Sequence, residues 1–274
     1  MAQFRLLFSL LSLTLPPLFI SGVFSSRTFT LQNNCDHPVW PVIFDTGISQ
    51  LSTTGFVLQT GQSKIINAPS QWNGRFWGRT GCAQNQSTGE FSCVTGDCGT
   101  GKLECSGNSG QPPATLVEFS INVSSGLDFY DVSLVDGYNL PILVVPQGGT
   151  GDDCKTTGCM VDLNGLCPWD LSVTESEGNG IVACQSPCVR FNKPEYCCTG
   201  EYATPNTCKP TLYSESLKRA CPLAYSYPYD DETSTFTCAS GADYLITFCP
   251  SPSTSGGSSS TFKAELFCTL DETF

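Results

Sequence analysis

Acid–base chemistry in this chain would have to come from carboxylates. Its 274 residues include one histidine, His37, placed two residues after Cys35 and directly before Pro38, a setting that reads as an exposed turn. A Ser-His-Asp or Cys-His relay would need that one side chain. No G-x-S-x-G elbow and no phosphate-cradling glycine loop occurs. Glu118 lies in Thr115-Leu116-Val117-Glu118-Phe119-Ser120-Ile121. There Val117, Phe119 and Ile121 alternate to one face of a strand, and Leu116, Glu118 and Ser120 take the other. Asp131 and Asp136 come one strand later. If the two strands are antiparallel neighbours, Glu118, Asp131 and Asp136 share a surface. Clustered carboxylates repel unless a cation or a raised pKa relieves them, and one protonated acid beside one ionised partner is how glycosidase sites are made. Plainer readings stand beside this one. Asp136 precedes Gly137 as a turn residue would, and Glu118 also suits an exposed strand charge.

The elements that must position these residues are mostly β. Strand patterns appear at 28–31, 39–44, 64–66, 115–121, 131–135, 138–144, 234–237 and 244–248, with Gly and Pro between them marking turns. Asp136-Gly137, between two apolar runs, reads as a hairpin turn. From Cys154 to Cys221 strand patterns fade. Tyr213, Leu217 and Ala220 stand at i, i+4 and i+7, which predicts one short amphipathic helix. Residues 82–110 form a second interruption, rich in glycine and cysteine. The chain therefore reads as a β domain with two cysteine-rich insertions.

Cysteine usage sets the compartment. There are 17 cysteines at irregular spacings, with no repeated C-x-x-C and a single His. Structural zinc needs paired short spacings of Cys and His, so the cysteines read as disulfides, and neither a metal nor any other cofactor is expected. An odd count leaves one thiol over, and Cys268 in the tail is the candidate. Residues 1–25 read as a signal peptide: Arg5, an apolar run from Leu6 to Phe24 broken by Pro16 and Pro17, then a small-residue exit at Ser25-Ser26. A secreted, extracellular (apoplastic) protein without a transmembrane anchor follows, as oxidised cysteines require. Residues 251–274 form a Ser-rich tail. Lys263, Glu265, Asp271 and Glu272 exclude a hydrophobic GPI signal there, and a vacuolar destination follows if the tail is a sorting peptide. Asn85-Gln86-Ser87 and Asn122-Val123-Ser124 are N-glycosylation sequons. A formal net charge of -12 argues against nucleic acid and anionic lipid as partners, while a neutral sugar polymer is compatible with it.

The stretch from Gly89 to Cys105, reading G-E-F-S-C-V-T-G-D-C-G-T-G-K-L-E-C, has too little apolar material to hold a shape without covalent staples. Together with Val39-Trp40, Trp77-Gly78-Arg79-Thr80-Gly81-Cys82, Leu127-Asp128-Phe129-Tyr130-Asp131-Val132-Ser133, Glu195-Tyr196-Cys197-Cys198 and Phe248-Cys249-Pro250, it resembles the thaumatin-like proteins, the plant pathogenesis-related group that includes osmotin and zeamatin. The resemblance runs over about residues 27–250 and sixteen cysteines. It implies a mainly β fold in three parts: a β-sandwich core domain (26–81 with 111–153 and 222–250), a small disulfide loop domain (82–110) and a disulfide-rich helical domain (154–221). It also implies eight bridges: Cys35–Cys249, Cys82–Cys93, Cys98–Cys105, Cys154–Cys238, Cys159–Cys221, Cys167–Cys184, Cys188–Cys197 and Cys198–Cys208.

Carried over by motif, the family's acidic interdomain cleft falls on Arg75, Glu118, Asp131, Asp136 and Asp231, with Asp230 as the alternative to the last. The implied function is antifungal defence by a monomer that binds β-1,3-glucan or other fungal wall or membrane components. Some family members add weak endo-β-1,3-glucanase activity, for which Glu118 would be the acid and Asp136 or Asp131 its partner. A non-catalytic binder and an inhibitor of fungal hydrolases remain the alternatives.

Overall fold

The computed structural model of the chain describes residues 26–47, 51–123, 126–175, 180–239 and 241–251. The leader, the tail with Cys268 and Ser124 of the second sequon lie outside the described residues.

In chain order the strands are β1 (Arg27–Asn33), β2 (Trp40–Asp45), β3 (Ser63–Ala68), β4 (Asn73–Arg79), β5 (Ala83–Gln84), β6 (Phe91–Ser92) and β7 (Leu116–Ser120), then β8 (Asp128–Ser133), β9 (Ile142–Gln147), β10 (Thr157–Cys159), β11 (Ser172–Thr174), β12 (Ile181–Cys184), β13 (Phe236–Cys238) and β14 (Asp243–Phe248). Ten of them build two five-stranded sheets, in the orders β10-β9-β14-β1-β3 and β13-β8-β7-β4-β2. Alternation explains the sandwich. Val117, Phe119 and Ile121 turn inward and are buried, as the sequence pattern predicts. They meet Phe29 and Tyr244 from the opposite sheet, with Phe119 standing 4.7 Å from Phe29 and 4.8 Å from Tyr244 between ring centroids, both edge-on.

One buried ion pair crosses this core. Arg27 on β1 and Asp128 on β8 are 5% and 0% exposed. The guanidinium donates from Nε at 2.7 Å and from Nη2 at 3.1 Å, Tyr244 Oη donates to the same carboxylate at 3.0 Å, and the Asn122 backbone N–H donates at 2.9 Å. The pair joins the first strand of one sheet to the second sheet. Nothing in the sequence pattern marks it.

Asp136-Gly137 is a turn but not a hairpin. β8 pairs with β7 and β13, whereas β9 pairs with β14 and β10. The turn therefore carries the chain from one sheet to the other. Gly137 has φ +95°, and a Cβ there would meet the Cys184 carbonyl and Pro113 at 2.6 Å, so only glycine fits this crossing.

The cysteine-rich segments hold by staples and caps. All eight bridges form with the pairing the resemblance implies. Four short helices follow: α1 (Pro187–Phe191), α2 (Pro194–Cys197), α3 (Leu212–Ala220) and α4 (Asp231–Ser234). α3 is the helix that the Tyr213, Leu217, Ala220 spacing predicts, and those three side chains pack on the main core. Thr211 and Ser214 cap its start reciprocally.

The 82–110 loop sits on the outer side of the second sheet. Trp77, Val42 and Leu116 form a second small core there with Cys98, Cys105 and Ala114. Leu116, on the face opposite Val117, is therefore buried rather than solvent-facing. Trp77 Nε1 donates to the Gly96 carbonyl at 2.8 Å.

Candidate functional site

Strand register, not loop geometry, brings the charged residues together. Arg75 on β4 stands directly opposite Glu118 on β7, and Glu118 stands directly opposite Asp131 on β8. One further step the other way, Phe44 on β2 is opposite Arg75. The result is a row across four strands, Phe44, Arg75, Glu118 and Asp131, on the face of the sheet turned away from the sandwich core. Cross-strand neighbours have Cβ atoms roughly 4.5–5.5 Å apart, so each side chain must settle with the next.

Arg75 Nε lies 3.3 Å from Glu118 Oε1, and its guanidinium lies over the Phe44 ring at 5.7 Å. Asp131 has no such partner. Its Oδ1 is buried and makes no hydrogen bond. Burial pushes the Asp131 carboxyl well above the usual carboxylate range; the like charges of Glu118 and Asp231 add to this, and Arg75 opposes it. Glu118 is also raised, by burial first and by Asp136, against the pull of Arg75.

The remaining candidates approach from loops. Asp136 occupies the turn closed by Gly137 N–H donating to the Leu134 carbonyl at 2.9 Å. Asp231 opens α4 and accepts from Tyr225 Oη at 2.8 Å. Asp230 is committed elsewhere: it accepts from Ser226 N at 3.0 Å and Ser226 Oγ at 2.9 Å, and pairs with Lys218 Nζ at 2.9 Å. Of the two adjacent acids, Asp231 is thus the one that faces the row. His37 stays on an exposed turn against Asp36.

Tyr225 is a residue that sequence reasoning missed. Its backbone runs alongside β8, donating to the Val132 carbonyl at 2.8 Å and accepting from Leu134 N–H at 2.9 Å. That places its phenol between Asp231 and the hydroxyl of Thr235, with both of which it hydrogen-bonds. Nothing in the spacing of Ala224-Tyr225-Ser226-Tyr227 indicates a segment lying parallel to β8.

Arg75, Glu118 and Asp131 of the row line an open depression of about 280 Å³, together with Thr46, Asn73, Ser120 and Phe129 among others. This is close to the lower bound of roughly 300 Å³ for small-ligand pockets. Its lining mixes an aromatic face, amide and hydroxyl groups, a cation and two carboxyls in unequal environments. Such a surface can hold a hydroxylated ligand and move a proton. Among the described residues no group of three His, Cys, Asp or Glu side chains is arranged to hold a metal ion. No helix among them is long and apolar enough to cross a membrane.

The profile of the Thaumatin family matches residues 33–250. The chain is 51% identical over 246 residues to the PR5-like receptor kinase of Arabidopsis thaliana, covering 88% of this chain and 36% of that protein, so it spans about a third of the kinase's length. It is 52% identical over 241 residues to a glucan endo-1,3-beta-glucosidase of Prunus avium, covering 88% of this chain and 97% of the relative. Among solved structures, a family 64 laminaripentaose-producing β-1,3-glucanase from Paenibacillus barengoltzii shares the fold at a TM-score of 0.51 and 13% identity, over 81% of this chain and 74% of that one.

Proposed function

The chain belongs to the thaumatin family, and from that premise we propose that it is a secreted antifungal defence protein whose acidic depression binds β-1,3-glucan. The observation that carries this reading is the row of Arg75, Glu118 and Asp131 on three neighbouring strands, open to an extended ligand along the sheet. The glucosidase named among the relatives supports the substrate class. Asp136 and Asp231 frame the site, and Glu118 and Asp131 form its acid–base pair. Hydrolysis, where it occurs, is secondary to binding.

Affinity for a linear β-1,3-glucan oligosaccharide is the first measurement. Glu118→Gln removes the charge that Arg75 holds and is expected to weaken binding about tenfold, the worth of one charge-assisted hydrogen bond. Reducing ends released by the wild type and absent with the variant would add catalysis to binding. Equal affinity of the two proteins would remove the row from the function.

Passage through the secretory pathway has its own readout. Asn85 is exposed at the tip of the β5–β6 hairpin, its Oδ1 accepting from Ser87 Oγ at 2.6 Å. Glycan mass on the protein secreted from plant cells is expected there and is expected to disappear with Ser87→Ala. An unmodified Asn85 peptide would count against the assignment.

A further inference from the structure

The acidic groups of the row have unequal partners, and the inequality decides which one carries a proton. Glu118 has a cation at 3.3 Å. Asp131 has none at its buried Oδ1. The groups facing Asp131 are Glu118 from β7 on one side and Asp231 from α4 on the other, with Arg75 one strand further away. Tyr225, from the segment beside β8, spends its hydroxyl on Asp231 and Thr235. An ionised Asp131 would be a half-buried charge between two like charges, with one buried oxygen that accepts no hydrogen bond, a costly state. A neutral carboxyl avoids that cost and leaves an O–H that needs an acceptor.

We infer that Asp131, rather than Glu118, holds the proton of this site and presents a carboxyl O–H donor to an uncharged, hydroxyl-bearing ligand. Arg75 and Glu118 then cancel, Asp131 is neutral, and the floor of the depression carries no net charge. A chain of net charge -12 thus offers a neutral polyol a floor that does not select for cations. Burial and the flanking carboxylates, which push the Asp131 carboxyl upward, agree with this placement. The ligand's identity rests on the glucan reading above; the position of the proton does not.

Two measurements separate these points. The first is a carboxyl ¹³C NMR titration of the intact protein from about pH 3 to 8, with Asp131→Asn and Glu118→Gln used to assign the signals. The step at highest pH within the pair is expected to vanish in Asp131→Asn. Its survival there, with loss in Glu118→Gln, overturns the inference. The second is affinity for a linear β-1,3-glucan oligosaccharide against pH and salt. Wild-type affinity is expected to fall about tenfold per pH unit above the Asp131 step. It should change less than about twofold between roughly 20 and 500 mM salt. Asp131→Asn is expected to lose the pH slope, because an amide donates at every pH. A steep salt dependence, or a pH slope that persists in Asp131→Asn, contradicts the neutral floor. Failure of the glucan to bind at any pH removes the proposed ligand, while the NMR titration still decides where the proton sits.

Discussion

Asp128→Ala is expected to lower the unfolding free energy by about 3–5 kcal/mol, read as a fall in the denaturation midpoint at unchanged slope. The site lies far from solvent: Asp128 is 0% and Arg27 5% exposed. The substitution removes the acceptor of two guanidinium bonds at 2.7 and 3.1 Å, of the Tyr244 hydroxyl and of the Asn122 N–H. What remains is a buried guanidinium without its carboxylate, which is where the penalty arises. The hydrogen bond that the guanidinium donates to Asp128 is the leading cause that raises the Arg27 pKa. A raised folded-state pKa means the Arg27 side of the pair stabilises the fold throughout the pH range below the ordinary guanidinium value, so alkaline pH within the working range should not weaken it. Removing both charges, as in Arg27→Met with Asp128→Leu, is expected to recover only part of the loss, because the desolvation cost of the charges disappears while the Tyr244 hydroxyl and the Asn122 N–H lose their acceptor. A loss below about 1 kcal/mol for Asp128→Ala alone would show that the pair is solvated in solution.

The period of burial was legible in the sequence; long-range partnerships were not. Val117, Phe119 and Ile121 announced the inner face of β7, and Tyr213, Leu217 and Ala220 announced α3, because each signal is carried by residues a few positions apart. The pairing of Glu118 with Asp131 was accessible by the same logic, since two successive strands on one sheet bring their outward residues together. Arg27 and Asp128 lie 101 residues apart, and no periodicity connects them. Asp136-Gly137 shows why turn chemistry alone is insufficient. It specifies a reversal at positive φ, but the runs on either side join different sheets, and that choice depends on which strands already occupy the neighbouring positions. The short strands β10 and β12 carry almost no pattern of their own; Cys159–Cys221 and Cys167–Cys184 hold them in place. Asp230 and Asp231 could not be told apart by type. The backbone of the 226–230 turn consumes Asp230, and only then is Asp231 left to face the row.

Arg79→Lys is expected to raise amide exchange in the 82–110 segment by about 30- to 1,000-fold while leaving the β1–β14 ladder protected, which corresponds to a local loss of about 2–4 kcal/mol. Arg79 is fully buried and serves as the anchor of this segment. Its Nε donates to the Trp40 carbonyl at 3.2 Å, Nη1 contacts Cys98 Sγ at 3.7 Å, Nη2 donates to the Leu103 carbonyl at 2.7 Å, and the guanidinium covers the Phe91 ring at 5.2 Å. One planar fork thus ties β2, the Cys98–Cys105 loop and the β5–β6 hairpin to β4. Burial depresses its pKa to about 10, with Asp97 and Glu104 opposing the fall. A depressed folded-state value means the cost of burying this cation is carried in full below about pH 10 and eases only as pH rises through that value, so the hydrogen bonds must offset it at every working pH. An ammonium has the charge but not the fork; it cannot reach three acceptors in different directions, and its stronger hydration favours opening. The Phe91 N–H bond to the Gly101 carbonyl, which closes within the segment, and the Val94 N–H bond to the Thr80 carbonyl, which ties the segment to the chain just past β4, are the reporters. The two staples, Cys82–Cys93 and Cys98–Cys105, close loops only within it and cannot substitute for the anchor. Unchanged exchange at these amides in Arg79→Lys would mean that Trp77 and the bridges alone hold the segment against the sheet.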